Sequence, residues 1–208
     1  MSTGLKAEQA EATRRALLAA ARELFTARGY AGTPIAEIVQ RARVTKGALY
    51  HHFRDKQDLF RAVFEQLERE LVEQINAAAA REERAWERVL AGAQAFLDAC
   101  LEPAIQQIVL LDAPSVLGWE TWRKIDAQYS LGHVKAALRA AMSEGAIDKQ
   151  PLDPLAHMLI GALNEAALVM ARASTAKSAR LEIGAAVTHL LEGLHTEKRR
   201  RPKRESSN

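Results

Sequence analysis

The chain has 208 residues, 48% of them hydrophobic and 26% charged, with 11 Gly, 6 Pro and one cysteine; that fits one compact unit or two small ones and excludes disorder, collagen or fibrous repeats for its bulk. Cys100 alone rules out an internal disulfide framework or a cysteine-rich zinc site. Apolar runs such as Ile108–Leu111 fall short of the ~18–20 residues of a membrane span, and the start MSTGLKAEQAEATRR lacks a signal-peptide core, so a cytoplasmic protein with no membrane association is expected. The net charge of +3 is unevenly divided. Residues 1–60 hold 10 Lys and Arg against 6 Asp and Glu, residues 61–197 hold 13 against 19, and residues 198–208 hold 6 against 1. A basic head on an acidic body is the distribution expected where the head meets a polyanion.

In chain order, nearly every segment reads as helix: Ala is abundant, β-branched runs are short, and no stretch alternates with period two for long. The first spans Glu8–Arg28, with Leu17, Leu18, Ala21, Leu24 and Phe25 on one face and Gly29 placed to end it. Thr33-Pro34 then offers a capping hydroxyl and a proline suited to the first helical position. The short helix that follows has Ile35, Ile38 and Val39 on its apolar face. A strict capping box wants Glu or Gln at position 36, where the chain has Ala, with Glu37 one place late. After a turn at 41–44, Thr45 caps a second short helix from Lys46 to about His52, whose apolar residues are Ala48, Leu49 and Phe53. Asp55 caps a long fourth helix, with Asp58 in its first turn and a stripe of Phe60, Phe64, Leu67, Leu71 and Ile75 reaching about Ala80. Short helices gain stability only by packing on each other, so residues 8–55 form a small three-helix unit. Further helices are expected around 83–101, 103–112, 118–143, 153–173 and 177–195, with breaks at Pro103, Asp112-Ala113-Pro114, Gly145 and 150–154. The basic tail at 198–208 reads as disordered.

The stretch Thr33–Phe53, TPIAEIVQRARVTKGALYHHF, has the shape of a helix-turn-helix. Thr45 and Lys46 sit where a helix N-terminus attracts phosphate. Gly47 allows close approach to DNA, at a helix-propensity cost near ~1 kcal/mol. Tyr50 and His51 follow three and four residues later on the same exposed face, while Leu49 and Phe53 point inward. Lys56, at the start of the fourth helix, is placed for a further phosphate. Adjacent residues on a helix point about 100° apart, so the pair His51-His52 cannot share a metal ion.

From Thr13 to Leu59, the run RELFTARGY, the TPIAEIV helix, VTKGALYHHF and the DKQDLF entry to helix four resemble the DNA-binding domain of the TetR/AcrR family of bacterial transcriptional regulators. By this resemblance Thr33, Thr45, Tyr50, His51 and Lys56 match positions that touch the DNA backbone, and Lys46 and Gly47 match positions at base edges or nearby phosphates. The family implies a homodimer, an all-helical C-terminal domain enclosing an inducer pocket, and no enzymatic activity; no cofactor is expected.

In the body, Trp119, Trp122 and Asp126 follow one helical stripe, and aromatic walls with a few polar groups are the usual lining of a small-molecule pocket. The candidate ligand residues are Phe96, Asp112, Trp119, Trp122, Asp126 and Asn164. The last two helices carry a surplus of apolar surface, Leu155, Leu159, Ala162, Leu163 and Ala166 on one and Ile183, Val187, Leu190, Leu191 and Leu194 on the other. Two such helices from each of two chains make a two-fold four-helix interface, with small residues such as Gly161 and Gly184 allowing close approach. The chain holds no Ser/His/Asp set, no phosphate loop and no paired carboxylates with a histidine, which speaks against an enzyme.

The expectation is an all-α chain: a helix-turn-helix DNA-binding domain at 8–55, a helical ligand-binding and dimerisation domain at 56–197, and a basic tail. Its partners are a double-stranded, palindromic DNA operator, an unknown small-molecule inducer and a second copy, and its action is that of a repressor. The alternative is a constitutive DNA-binding protein without an inducer.

Overall fold

The computed structural model describes residues 2–196; the tail at 198–208 lies outside them. The order is α1 (Ser2–Arg28), α2 (Ile35–Arg41), α3 (Lys46–His52), α4 (Lys56–Ala79), α5 (Ala85–Ala99), a π-helix (Ile105–Asp112), α6 (Ala113–Val116), α7 (Trp119–Ser143), α8 (Leu152–Arg172) and α9 (Ala176–Glu192). Among the described residues there is no strand, only an antiparallel bridge between Ile147 and His195.

Three sequence expectations need correcting. Helix α1 begins at Ser2, ahead of the expected start at Glu8. The segment expected as a helix at 103–112 is wound as a π-helix, and Asp112-Ala113-Pro114 does not break it. Pro114 stands in the first turn of α6, and Asp112 and Ala113 before it keep right-handed helical backbone angles. Helix α8 is long and apolar enough, by length and composition, to cross a membrane, which a search for unbroken apolar runs passes over. Its Leu155, Ala156, Leu159 and Leu163 are buried in the core of the protein, while Met158 and Val169 are exposed.

The chain divides into two compact units. The first contains the residues up to Glu70 together with Glu102–Asp126; the second contains Leu71–Leu101 and the chain from Ala127. Helices α4 and α7 each contribute one stretch to either unit.

In the first unit, Leu17 and Phe25 of α1, Ile38 of α2, Leu49 of α3 and Phe60 and Phe64 of α4 are fully buried. Helices α2 and α3, seven residues each, are held by this packing and by their caps. At the end of α2, Val44 N–H donates to Val39 O at 3.0 Å and Arg43 N–H to Gln40 O at 3.1 Å, a Schellman closure. Its left-handed position is held by Arg43, at φ 56°, where glycine is the usual occupant. The long α4 opens with Asp58 N–H donating to Asp55 Oδ1 at 2.7 Å, as the Asp55 cap predicts. In return Asp58 Oδ2 accepts from Arg54 N–H at 3.1 Å.

In the second unit, α5, α8 and α9 pack around Trp86, Val89, Leu97, Leu138, Ile147, Leu155, Leu163, Val187 and Leu191. A polar staple joins α5 to α9: Gln94 Nε2 donates to Gly184 O at 3.0 Å and to Thr188 Oγ1 at 2.9 Å. Arg180 Nε donates to Asp98 Oδ1 at 2.8 Å on the same seam.

Candidate nucleic-acid interface and ligand site

The outer face of α3 is built from its N-terminus. Thr45 Oγ1 accepts from Ala48 N–H at 3.1 Å, satisfying one of the orphan donors of the first turn. Thr45, Lys46, Gly47, Tyr50 and His51 are all exposed, and Leu49 beneath them is fully buried. Lys46 Nζ lies 6.0 Å from the centre of the Tyr50 ring, so the cation and the phenol share one surface. A Cβ added at Gly47 would find only Thr45 Oγ1 within 4 Å, at 3.8 Å. Nothing inside the chain requires glycine there.

Two residues expected beside this face are spent inside the first unit. Thr33 is fully buried, and its hydroxyl proton serves Gly29 O at 2.8 Å and Leu24 O at 3.2 Å. It therefore neither caps α2, whose N-cap is Pro34 with no side-chain bond, nor offers its side chain to a duplex. Lys56 Nζ donates to Tyr30 O at 2.6 Å and stands 4.1 Å from the centre of the Tyr30 ring. Burial holds its pKa below the ordinary lysine value, against the opposing pull of the Asp112 carboxylate. A half-buried ammonium committed in this way is an internal clamp.

Asp112 belongs to that clamp. Its Oδ2 accepts from Tyr30 N–H at 2.7 Å, and a Cβ on Gly29 would meet Gln107 Nε2 at 3.1 Å and Asp112 Oδ2 at 3.4 Å. The π-helix is thus fastened to the turn between α1 and α2, and Asp112 is not a free ligand carboxylate.

The other candidate ligand residues fall in different units: Trp119, Trp122 and Asp126 in the first, Phe96 and Asn164 in the second. Trp122 is 2% exposed and Trp119 63%, with ring centres 4.8 Å apart. Asp126 is buried, with Arg123 Nη1 at 3.5 Å. Sequence reasoning missed Glu68, a buried carboxyl on α4. Burial first, and the charge of Asp126 second, push its pKa up to about 8. The signal was present: Phe64, Glu68, Leu71 and Ile75 follow at helical spacing, placing an acid on the apolar line. Among the described residues no group of His, Cys, Asp or Glu is arranged to hold a metal ion.

The expected dimer face is mostly core. Leu155, Leu159, Leu163, Val187 and Leu191 are buried, and Ala166, Ile183 and Leu194 pack against them. Ala162 is half-buried, and Leu190 is 60% exposed. Gly184 faces α5 of its own chain through Gln94. The apolar side chains that α8 and α9 turn outward are Met158, Val169, Leu181 and Leu190.

Two family descriptions match this chain: bacterial regulatory proteins of the tetR family over residues 17–63, and the tetracyclin repressor-like C-terminal domain over residues 86–194. The transposon Tn10 TetC protein of Escherichia coli is 28% identical over 154 residues, covering 74% of this chain and 78% of that protein. The crystal structure of a TetR-family transcriptional regulator from Pectobacterium atrosepticum superposes with a TM-score of 0.82 at 35% identity, covering 90% of this chain and 96% of that one. RolR, crystallised with the ligand resorcinol, shares the fold at a TM-score of 0.69 and 20% identity, over 97% of this chain and 100% of that one. With a helix-turn-helix whose second helix presents a polar, glycine-bearing outer face, and with both domain descriptions matched in order along the sequence, the chain belongs to the TetR family of bacterial transcriptional regulators.

Proposed function

We propose that this regulator is a dimeric, cytoplasmic repressor that lays α3 in the major groove of each half of a palindromic operator and is released when a small molecule binds its C-terminal part. The observation that carries the DNA reading is the outer face of α3. Thr45, Lys46, Gly47, Tyr50 and His51 are exposed together, and the glycine leaves room that nothing in the chain itself uses. Basic and hydroxyl groups position such a helix on phosphates, and the side chains at its centre reach base edges.

A two-fold dimer reads a two-fold site, so half-sites lie on one face of the duplex. The outward apolar residues of α8 and α9, Met158, Val169, Leu181 and Leu190, support pairing with a second copy through that face. The ligand response is supported by the repressor-like C-terminal description and by RolR, a protein of this fold crystallised with resorcinol. Within the chain, residues 102–126 belong to the same compact unit as the helix-turn-helix. A ligand that repacks this segment acts on the head's own unit. Coupling of this kind is typically worth ~1–3 kcal/mol.

The test uses DNA fragments selected by the purified protein from genomic DNA. Lys46→Ala and Tyr50→Ala are expected to abolish binding to those fragments while leaving helicity and association unchanged. Undiminished gel shifts from both variants would refute the assignment of α3.

A further inference from the structure

We propose that Arg43, in the turn between α2 and α3, is a further DNA contact, its guanidinium binding a phosphate of the duplex on which α3 docks. This inference rests on the DNA-binding reading and adds to it an anchor outside α3. Among the described residues, Arg43 is the one non-glycine residue with a positive φ, at 56°. Its Cβ crowds the backbone in that conformation, and glycine would close the turn without the strain. The bonds that close the turn, Arg43 N–H to Gln40 O at 3.1 Å and Val44 N–H to Val39 O at 3.0 Å, are made by backbone atoms and do not depend on the side chain. That side chain is exposed and forms no hydrogen bond or ion pair among the described residues. No contact within the chain offsets the strain of holding an arginine there.

The second observation is one of charge. From Arg22 to Lys56 the chain carries seven Lys and Arg side chains. Five are held within the chain: Arg22 by Glu70, Arg28 by Glu37, Arg41 by Glu23, Arg54 by Asp58, and Lys56 by the Tyr30 carbonyl. The two that have no carboxylate or carbonyl partner among the described residues are Arg43 and Lys46, on either side of the Thr45 cap. Three peptide units hold their Cα atoms at most about 11 Å apart, so a long arginine side chain serves the same stretch of a partner's surface as Lys46. A guanidinium offers a planar fork of donors matched to phosphate oxygens. Strained backbone that carries an uncompensated charge, at the edge of a binding face, is the pattern expected where the partner and not the fold accounts for the residue. A phosphate contact fixes the position of a helix on the duplex without reading sequence.

The experiment measures the affinity of the full-length protein for the DNA fragments it selects, by fluorescence anisotropy over a series of salt concentrations. It compares the parent with Arg43→Gly, Arg43→Lys, Lys46→Ala and Tyr50→Ala. Arg43→Gly is expected to weaken binding about tenfold, equally on every selected fragment, and to reduce the slope of log affinity against log salt by about one. The same variant should melt at a higher temperature than the parent, because glycine relieves the positive φ. Arg43→Lys keeps the charge and should keep the slope. Unchanged affinity and slope in Arg43→Gly overturn the proposal, as does a loss of affinity with the slope intact, or one confined to fragments that share a particular base. A loss accompanied by a lower melting temperature gives Arg43 a structural role and overturns it too. If Lys46→Ala and Tyr50→Ala abolish binding while Arg43→Gly binds as the parent does, the α3 reading stands and the Arg43 contact falls. If those two bind undiminished while Arg43→Gly reduces the slope, the Arg43 contact stands and the α3 reading falls. Undiminished binding by all three removes both.

Discussion

Gly47 occupies the second position of a seven-residue helix, exposed and surrounded by open space. Glycine in a helix costs roughly 0.5–1 kcal/mol relative to alanine. Gly47→Ala is therefore expected to raise the unfolding free energy by about that amount in a denaturant titration, and at the same time to weaken duplex binding in fluorescence anisotropy. An alanine variant that is more stable and binds DNA equally well removes the close-approach argument. Glu68 makes a second prediction at this scale. Its carboxyl pKa is raised from 4.5 to about 8, by burial and then by Asp126, so the folded state holds the proton more tightly than the unfolded chain. The contribution of Glu68 to stability is fully present below about pH 4.5 and is lost as pH rises towards 8, on the order of a few kcal/mol. The melting temperature of the parent protein should fall more steeply between pH 5 and pH 8 than that of Glu68→Gln. Parallel profiles would show that Glu68 keeps an ordinary pKa.

Among the elements, the π-helix matters most to the head. Asp112 at its end accepts the Tyr30 N–H, and the neighbouring Lys56 holds the Tyr30 carbonyl, so one turn of backbone is gripped at both polar groups. Asp112→Ala leaves a half-buried N–H without its acceptor and should cost about 1–2 kcal/mol of stability in urea, with Asp112→Asn recovering most of it. Because this turn leads into α2, operator affinity is expected to fall with the alanine variant as well. The π-winding itself follows no signal in IQQIVLLD, which reads as an ordinary apolar helix. Runs with i→i+5 bonds are selected by what surrounds them, and they gather at functional sites.

At the scale of the whole molecule, the faces of α8 and α9 separate folding from association. Leu155 lies in the core, so Leu155→Ala should destabilise the protein by about 2–5 kcal/mol with no change in oligomeric state at equal folded fraction. Leu181 and Leu190 are 75% and 60% exposed. The pair Leu181→Glu with Leu190→Glu should leave the helical fold intact and convert a dimer to a monomer in light scattering, with operator affinity reduced in step. A charged pair that leaves the mass unchanged would exclude this face from the interface.

The local sequence was sufficient for the helices around the site and for the motif. Hydrophobic spacing located α1 to α4, and Gly29, Thr45 and Asp55 stood where their backbone or side chains act, because caps and amphipathic stripes depend on residues within about a turn. It also placed Lys46, Gly47, Tyr50 and His51 opposite Leu49, since one face of a two-turn helix is decided by its own periodicity. What Thr33, Lys56 and Asp112 do was not legible, because each is satisfied by a partner elsewhere in the chain; Tyr30 and Asp112 are 82 residues apart. The inward face of α9 was misjudged for the same reason: Gly184 meets Gln94, 90 residues away. Periodicity shows that a helix has an apolar side. Only the packing of distant segments decided which apolar residues that side buries, which remain outside, and that the carboxyl groups of Glu68 and Asp126 are each buried, since burial is a property of the neighbours as much as of the residue.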